Sequence, residues 1–374
     1  MSNPTLASLL YTGFNSPVFA HLETCNSPAH HRPIVASRSN GFDQSNPFDV
    51  ANDCANANNL GFGFSPNTYK VGSFENKCLL NYLPVMSQLG MPLMINIDKG
   101  VYQNTASEID AIRAYILWLR ANAFGKNYFK WQGKYVITYF CSGNEDVGMF
   151  IKIENDNPDI AFVYNDNNVI KQIEIHRPNV PVNTMSWVTE GLTSSLEEWC
   201  KTYSNAPGLH IPHICPGFND SVVRFVVPTT GMIGPYKSNV SGYSTATSPW
   251  TNSDGSYSPA RIWNSPKGYG LPTLMEHAAV LNRYYSATHP MPALQIVTWD
   301  DLDEGTGIQP KKDGTGGFFS VPPPPPPPVV VTHGELWVNG VKLGEYSSGT
   351  HKVTTQQCMS DGSLQNIVNT TFTV

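Results

Sequence analysis

Charge is scarce in this chain. Only 14% of its 374 residues are Asp, Glu, Lys or Arg, against about 25% in an average soluble domain. The net charge is −6 and the pI is near 5.9. No basic face is available to hold nucleic acid or anionic lipid, so neither is an expected partner. Long apolar runs are also missing. None approaches the ~20 residues of a membrane-spanning helix, so no span is expected. The seven cysteines include no Cys-x-x-Cys pair, which removes the usual zinc-cluster spacing. Their odd number leaves at least one thiol free or joined to another chain. No Gly-x-Gly-x-x-Gly follows the first strand and there is no Gly-x-Ser-x-Gly. These absences argue against a dinucleotide fold and against a nucleophile elbow. No metal or cofactor is expected. Residues 1–14 lack the basic start and apolar core of a signal peptide.

Asn, Ser, Thr, Gly and Pro fill the gap left by charge, and aromatics reach 11%. A neutral, hydroxyl-rich partner such as an oligosaccharide or polysaccharide suits this balance. The sharpest boundary is Pro322–Pro328, seven consecutive prolines. Such a run forms a stiff rod of about 3.1 Å per residue. It divides the chain into a body over 1–320, a polyproline linker over 321–331 and a small all-β domain over 332–374. In that domain Leu336 and Val338 alternate, Asn339-Gly340 gives a hairpin turn, and Val341 and Leu343 resume the alternation. A module this small buries little core. Binding a surface, a glycan or an assembly partner is its expected work.

The body alternates short apolar strands with helical stretches. Strands are read at 17–20, 93–97, 135–140, 160–164, 183–187, 210–214 and 294–297. Helices are read at 49–60, 107–121, 195–203 and 273–285. In the second helix Ile109, Ile112, Ile116 and Leu119 fall at helical spacing, with Ser107 as the cap. Repeated βα units predict a parallel α/β fold. About eight strands in some 320 residues predict a (β/α)8 TIM-like barrel. A doubly wound sheet is the alternative.

In a barrel the residues just past each strand form the site. Here they include His21, Asp98, Trp187, Asp220 and the stretch Trp299-Asp300-Asp301-Leu302-Asp303-Glu304. That stretch holds four carboxylates within five positions, directly after the apolar run Leu294–Val297. Taken singly, such acids could solvate a loop or cap a helix. Taken together with the aromatics, they point to glycoside hydrolysis, where one carboxyl protonates the leaving oxygen and another assists the attacking group. Trp299 is expected to offer a flat face to a sugar ring.

The segment Trp299-Asp300-Asp301-Leu302-Asp303-Glu304-Gly305-Thr306 resembles the Trp-Asn-[Asp/Glu]-x-x-Glu motif of glycoside hydrolase families 71 and 99. The first comprises α-1,3-glucanases, the second endo-acting α-mannosidases and α-mannanases. Val18–His21, Gly90–Asp98, Trp131–Ile137 and the loop Cys215-Pro216-Gly217-Phe218-Asn219-Asp220 resemble other stretches of these families in the same order. The resemblance spans about residues 17–311. It implies a (β/α)8 barrel acting on α-linked polysaccharide. It implies Asp301 and Glu304 as the catalytic carboxylates, with Glu304 as general acid and Asp301 as base. It requires no metal; the substrate contacts expected from His21, Asp98, Trp187, Asp220 and Trp299 rest on their places at the strand ends. In a family-71-like enzyme Asp301 would activate water with inversion. In a family-99-like enzyme it would deprotonate the sugar 2-hydroxyl with net retention. An aspartate at 301 is the family-71 form. Asp300 stands where these enzymes keep Asn, Leu302 replaces an aromatic, and Leu60-Gly61-Phe62-Gly63-Phe64 lacks the acid that family 71 carries there.

The expectation is therefore a glycoside hydrolase on an α-glucan or α-mannan. The alternative is a non-catalytic carbohydrate-binding or virion-associated structural protein on the same barrel. Either is expected outside the cell or on a surface or particle.

Overall fold

The computed structural model describes residues 3–24, 41–67, 70–98, 108–141, 146–189, 192–219, 226–227, 231–232, 262–263, 265–301, 306–311 and 317–320, and the strands of the C-terminal part within 329–373. The chain divides into two compact units, Met1–Ser320 and Val321–Val374.

The first unit opens with a short α1 (Leu6–Leu9) and β1 (Val18–Leu22), whose five residues are all buried. Next come α2 (Pro47–Asn59), β2 (Gly63–Pro66), α3 (Phe74–Leu89) and β3 (Ile95–Asp98). Capping sets the helix starts. The Asn46 side chain accepts the Phe48 N–H, and Pro47 opens α2 with its φ already fixed. Ser73 accepts the Asn76 N–H ahead of α3, and Gly90 ends that helix at φ 67°. Then follow α4 (Glu108–Asn122), β4 (Lys130–Trp131), β5 (Lys134–Phe140), α5 (Val147–Asp156) and β6 (Ile160–Tyr164). α4 buries Ile112, Tyr115, Ile116 and Leu119, the face expected from helical spacing. Its expected cap, Ser107, lies outside the described residues.

Asp146 and Asp166 cap α5 and α6 (Asn167–His176). After β7 (Asn183–Met185) and α7 (Leu192–Tyr203), the single strand expected over 210–214 is corrected to two. Pro212 has no N–H for a ladder, and it separates β8 (His210–Ile211) from β9 (His213–Ile214). Two short ribbons follow. β10 (Phe218–Asn219) pairs with β13 (Ile262–Trp263), and β11 (Val226–Val227) pairs with β12 (Gly231–Met232), both antiparallel. α8 (Leu271–Tyr284) and β14 (Leu294–Ile296) complete the main succession.

The long-range order is parallel. One sheet runs β2-β1-β14-β9 and the other β3-β5-β6-β7-β8, with β4 antiparallel on β5. Two parallel bridges, Phe64 to Leu93 and Asn67 to Asn96, link β2 to the stretch that holds β3. At the other end Pro212 alone separates β8 from β9. Gly63 is required where β2 meets the neighbouring strand. A Cβ there would stand 1.9 Å from the Pro92 carbonyl oxygen. Strands such as β1 and β6 are buried along their whole length, as parallel strands covered by helices are. The core between strands and helices is built from residues such as Leu22, Phe64, Tyr82, Ile97, Tyr139 and Ile296. A second cluster gathers Phe19, Met94, Val136, Val163, Met185 and Ile211. Among the described residues no helix is long and apolar enough to cross a membrane.

The second unit consists, in its described residues, of β15 (Val329–Thr332), β16 (Glu335–Val338), β17 (Val341–Glu345), β18 (Thr350–Cys358) and β19 (Leu364–Thr373). β15, β16 and β17 form one antiparallel sheet, and β18 and β19 form another. Val338 pairs with Val341, and the Asn339-Gly340 turn expected between them lies outside the described residues. Pro322–Pro328 lie outside the described residues. The first strand begins at Val329, earlier than the expected linker end at 331.

Candidate active site

Because the main strands run parallel, their C-terminal ends meet on one side. A cavity of about 340 Å³ lies there, lined among others by His21, Glu23, Asn67, Asn96, Asp98, Phe140, Trp187, Phe218, Trp263, Thr298 and Asp301. Its volume is at the small end of ligand sites, which run from about 300 to 1,000 Å³. A larger hollow of about 600 Å³ sits where β5, β6 and β7 begin, lined by Lys134, Ile160 and Asn183. Its one carboxylate, Glu154, is engaged by Arg177 and the Tyr164 hydroxyl. Among the described residues no pair of acids faces that hollow.

The cavity has an acidic, amide-rich side. His21 closes β1, and its Nε2 lies 3.3 Å from Glu23 Oε1. The ring is buried, and its Nδ1 has no hydrogen-bond partner among the described residues. Asn67, just past β2, donates to Glu23 Oε1 at 3.3 Å and to Asp98 Oδ2 at 3.3 Å. Its own Oδ1 accepts from Asn96 Nδ2 at 2.9 Å, and Asn96 Oδ1 accepts from Thr138 Oγ1 at 2.8 Å. This chain joins β1, β2, β3 and β5. It holds two half-buried carboxylates, Glu23 and Asp98, on one amide.

Part of the lining is aromatic. Trp187, two residues past β7, meets the His21 ring edge-on at 5.0 Å and the Phe140 ring at 5.0 Å. Phe218 stacks on Trp263 at 4.7 Å across the β10–β13 ribbon. Flat apolar faces beside carboxylates and amides can bind a sugar ring on its C–H face and its hydroxyls at the edge.

The segment after β14 sends its residues to three destinations. Asp301 is half-buried and lines the cavity. Its N–H donates to Thr298 Oγ1 at 3.0 Å and its carbonyl accepts from Gly307 N–H at 2.9 Å. Asp300 turns away. It is 2% exposed, with Oδ1 accepting the Glu23 N–H at 2.8 Å and Oδ2 accepting Gln44 Nε2 at 2.9 Å. Trp299 is fully buried. Its ring packs edge-on against Phe62 and Phe64, and its Nε1 donates to Asp53 Oδ1 at 2.9 Å. The expected sugar platform at Trp299 is therefore corrected to a core residue, since neither face of the indole is open. Asp53 is buried too and also accepts from Gln309 Nε2 and the Tyr82 hydroxyl, each at 2.8 Å. Burial pushes its carboxyl up to about 6, against the opposing pull of the three donors.

Of the residues expected at the site, His21, Asp98, Trp187 and Asp301 meet at one cavity. Glu304 and Asp220 lie outside the described residues. Sequence reasoning missed Glu23, Asn67, Asn96 and Phe140. A usable signal existed for Glu23, which stands two residues beyond His21. Phe218 sat inside the quoted Pro216–Asp220 loop.

No protein-family profile and no curated protein matches the chain. Solved structures do. Two are of the family-99 endo-α-mannosidase from Bacteroides thetaiotaomicron. One superposes with a TM-score of 0.52 at 13% identity, covering 79% of this chain and 88% of that one. The other, in complex with BIS-TRIS-propane, covers 80% and 88% at 13% identity with a TM-score of 0.49. The fold is thus similar to that of this endo-α-mannosidase.

Proposed function

We propose that this chain is a glycoside hydrolase that cleaves α-glycosidic bonds in an α-glucan or α-mannan. The observation that carries the proposal is the meeting of Asp301, Asp98, His21 and Trp187, from four separate strand ends, around one small cavity. The two parallel sheets, linked by the Phe64–Leu93 and Asn67–Asn96 bridges and by the Pro212 break, fit an eight-stranded (β/α)8 barrel with this cavity at its mouth. A fold shared with an endo-α-mannosidase agrees with that substrate class.

In this reading Glu304 gives its proton to the leaving glycosidic oxygen as that bond breaks. Asp301 takes a proton from the attacking group. If the attacker is water, the configuration inverts. If it is the sugar's own 2-hydroxyl, two steps give net retention. The Thr298 and Gly307 hydrogen bonds hold the Asp301 backbone, so its carboxylate presents to the cavity without a rearrangement. Trp187 stacks on the sugar, while Glu23, Asn67 and Asp98 take hydroxyls. The second unit serves attachment or glycan binding, and the protein works outside the cell or on a particle.

The test is reducing-sugar release on a panel of α-glucans and α-mannans. Activity on at least one member, lost in Asp301→Asn and Glu304→Gln, is the expected result. A silent panel, or variants as active as the parent, overturns the enzyme and leaves a carbohydrate-binding or structural protein.

A further inference from the structure

A second cluster of reactive side chains lies outside the cavity. His213 is in β9, Cys215 follows it by two residues, and His277 is on α8. All three are buried, at 2%, 0% and 0% exposure. One ligand atom from each lies within 4.8 Å of the others. The two rings stand nearly perpendicular, with centroids 5.6 Å apart. None of the three lines the cavity.

Two observations point to something held between them. First, Nε2 of His213 and Nε2 of His277 are both buried with no hydrogen-bond partner among the described residues. An orphaned buried nitrogen is costly, and here two occur in one cluster. Second, the surrounding bonds suit a ligand set. His213 Nδ1 lies 2.8 Å from Ser186 Oγ. A ring that donates from Nδ1 keeps its Nε2 lone pair open, which is how metal-bound imidazoles are oriented. The Gly217 amide bonds back to Cys215, and Gly217 sits at φ 132°, a backbone suited to glycine.

We propose that His213, Cys215 and His277 form a buried zinc site that pins α8 to β9. Two imidazoles and a thiolate are a soft set that suits zinc, whereas calcium and magnesium call for oxygen ligands. Binding replaces the thiol proton, which leaves to solvent, with a Zn–S bond. Tetrahedral bonds of about 2.0–2.3 Å place ligand atoms roughly 3.3–3.6 Å apart, so the cluster closes by about an ångström on loading. Binding through His277 Nε2 moves that ring's proton to Nδ1, which gives up its long 3.3 Å bond from the Cys215 N–H. A water takes the fourth position. The absence of Cys-x-x-Cys led to the expectation of no metal, because a His-x-Cys pair completed by a histidine 62 residues further on has no recognised spacing.

The experiment uses the full chain. It is unfolded and refolded with excess zinc, desalted, and analysed for metal. One equivalent of zinc is expected. Refolding with cobalt should give a thiolate-to-cobalt charge-transfer band in the near ultraviolet and intense visible bands of a tetrahedral site. Cys215→Ser should lose the charge-transfer band, and His277→Gln should lose the stoichiometric metal. If these variants do not fold, the parent alone decides, because its melting temperature should fall on unfolding and refolding with a chelator in place of zinc. A natively folded parent with no zinc, no cobalt spectrum and a chelator-insensitive melt overturns the proposal and leaves a buried water among the three side chains. Zinc that survives both substitutions also overturns it.

Discussion

Two sets of acids in the first unit behave oppositely. Asp53 and Asp300 are buried at 0% and 2% exposure. Each spends its oxygens on named donors: Trp299, Gln309 and Tyr82 for Asp53, and Glu23 N–H and Gln44 for Asp300. Glu23, Asp98 and Asp301 open on the cavity. Adjacent Asp300 and Asp301 fall on either side of this divide. The difference teaches that a buried acid on which donors converge belongs to the packing, whereas an acid lining the cavity is the candidate for chemistry. The two sets should therefore respond to different measurements.

The largest expected effect is on turnover. Asp301→Asn or Glu304→Gln should lower kcat by about 10²–10⁴-fold, the usual contribution of a general acid or base, on whichever α-glycan is cleaved. The melting temperature should hold within a degree or two. A loss of stability equal to that of a core variant would erase the distinction for Asp301. The next effect is on stability alone. Trp299→Ala should cost about 3–5 kcal/mol by opening a cavity between Phe62 and Phe64, and it leaves Asp53 short of a donor. Trp299→Phe should cost less, about 1–3 kcal/mol, because ring volume is largely kept while one buried hydrogen bond is lost. Denaturant melts measure both. If Trp299→Phe instead spared stability and raised KM, the indole would be a substrate platform after all.

Asp53 sharpens the comparison through pH. Its folded pKa is raised from 3.8 to about 6. A raised folded value means that its stability contribution is full below about 4 and is lost as pH rises through 6. The shift corresponds to about 3 kcal/mol at most. Asp53→Asn keeps an oxygen for Trp299 and Gln309 and removes the titration. The stability difference between parent and variant should therefore shift against the parent between pH 4 and pH 7. A difference flat in pH would show that the three donors already hold the carboxylate ionised.

Much of the fold was legible because the strands are short, apolar and bounded. Ile160–Tyr164 is read and found with the same limits, and α4 buries the face that its spacing predicts. The strand over 210–214 was misread because Pro212 is invisible to an apolar count but not to a hydrogen-bond ladder. His21, Asp98, Trp187 and Asp301 were read at strand ends and are found lining one cavity. The site was not legible at Trp299, because alternation alone does not say which face of a strand end meets the helices. Nor was it legible at Asn67 and Asn96, whose value lies in a chain of amide contacts between strands 29 residues apart.

The smallest expected effect concerns Trp187, which tests the aromatic side of the cavity against its acidic side. The indole is half-buried and touches His21 and Phe140 rather than the helix layer. Trp187→Ala should raise KM by roughly tenfold, equivalent to about 1.4 kcal/mol of lost stacking, with kcat on the same α-glycan held within a factor of about two. Such a split assigns the residue to binding that is equal in the ground and transition states. A fall in kcat without a change in KM would mean that Trp187 works through His21 and the Glu23–Asn67–Asp98 chain. The aromatic and acidic sides would then be one device rather than two.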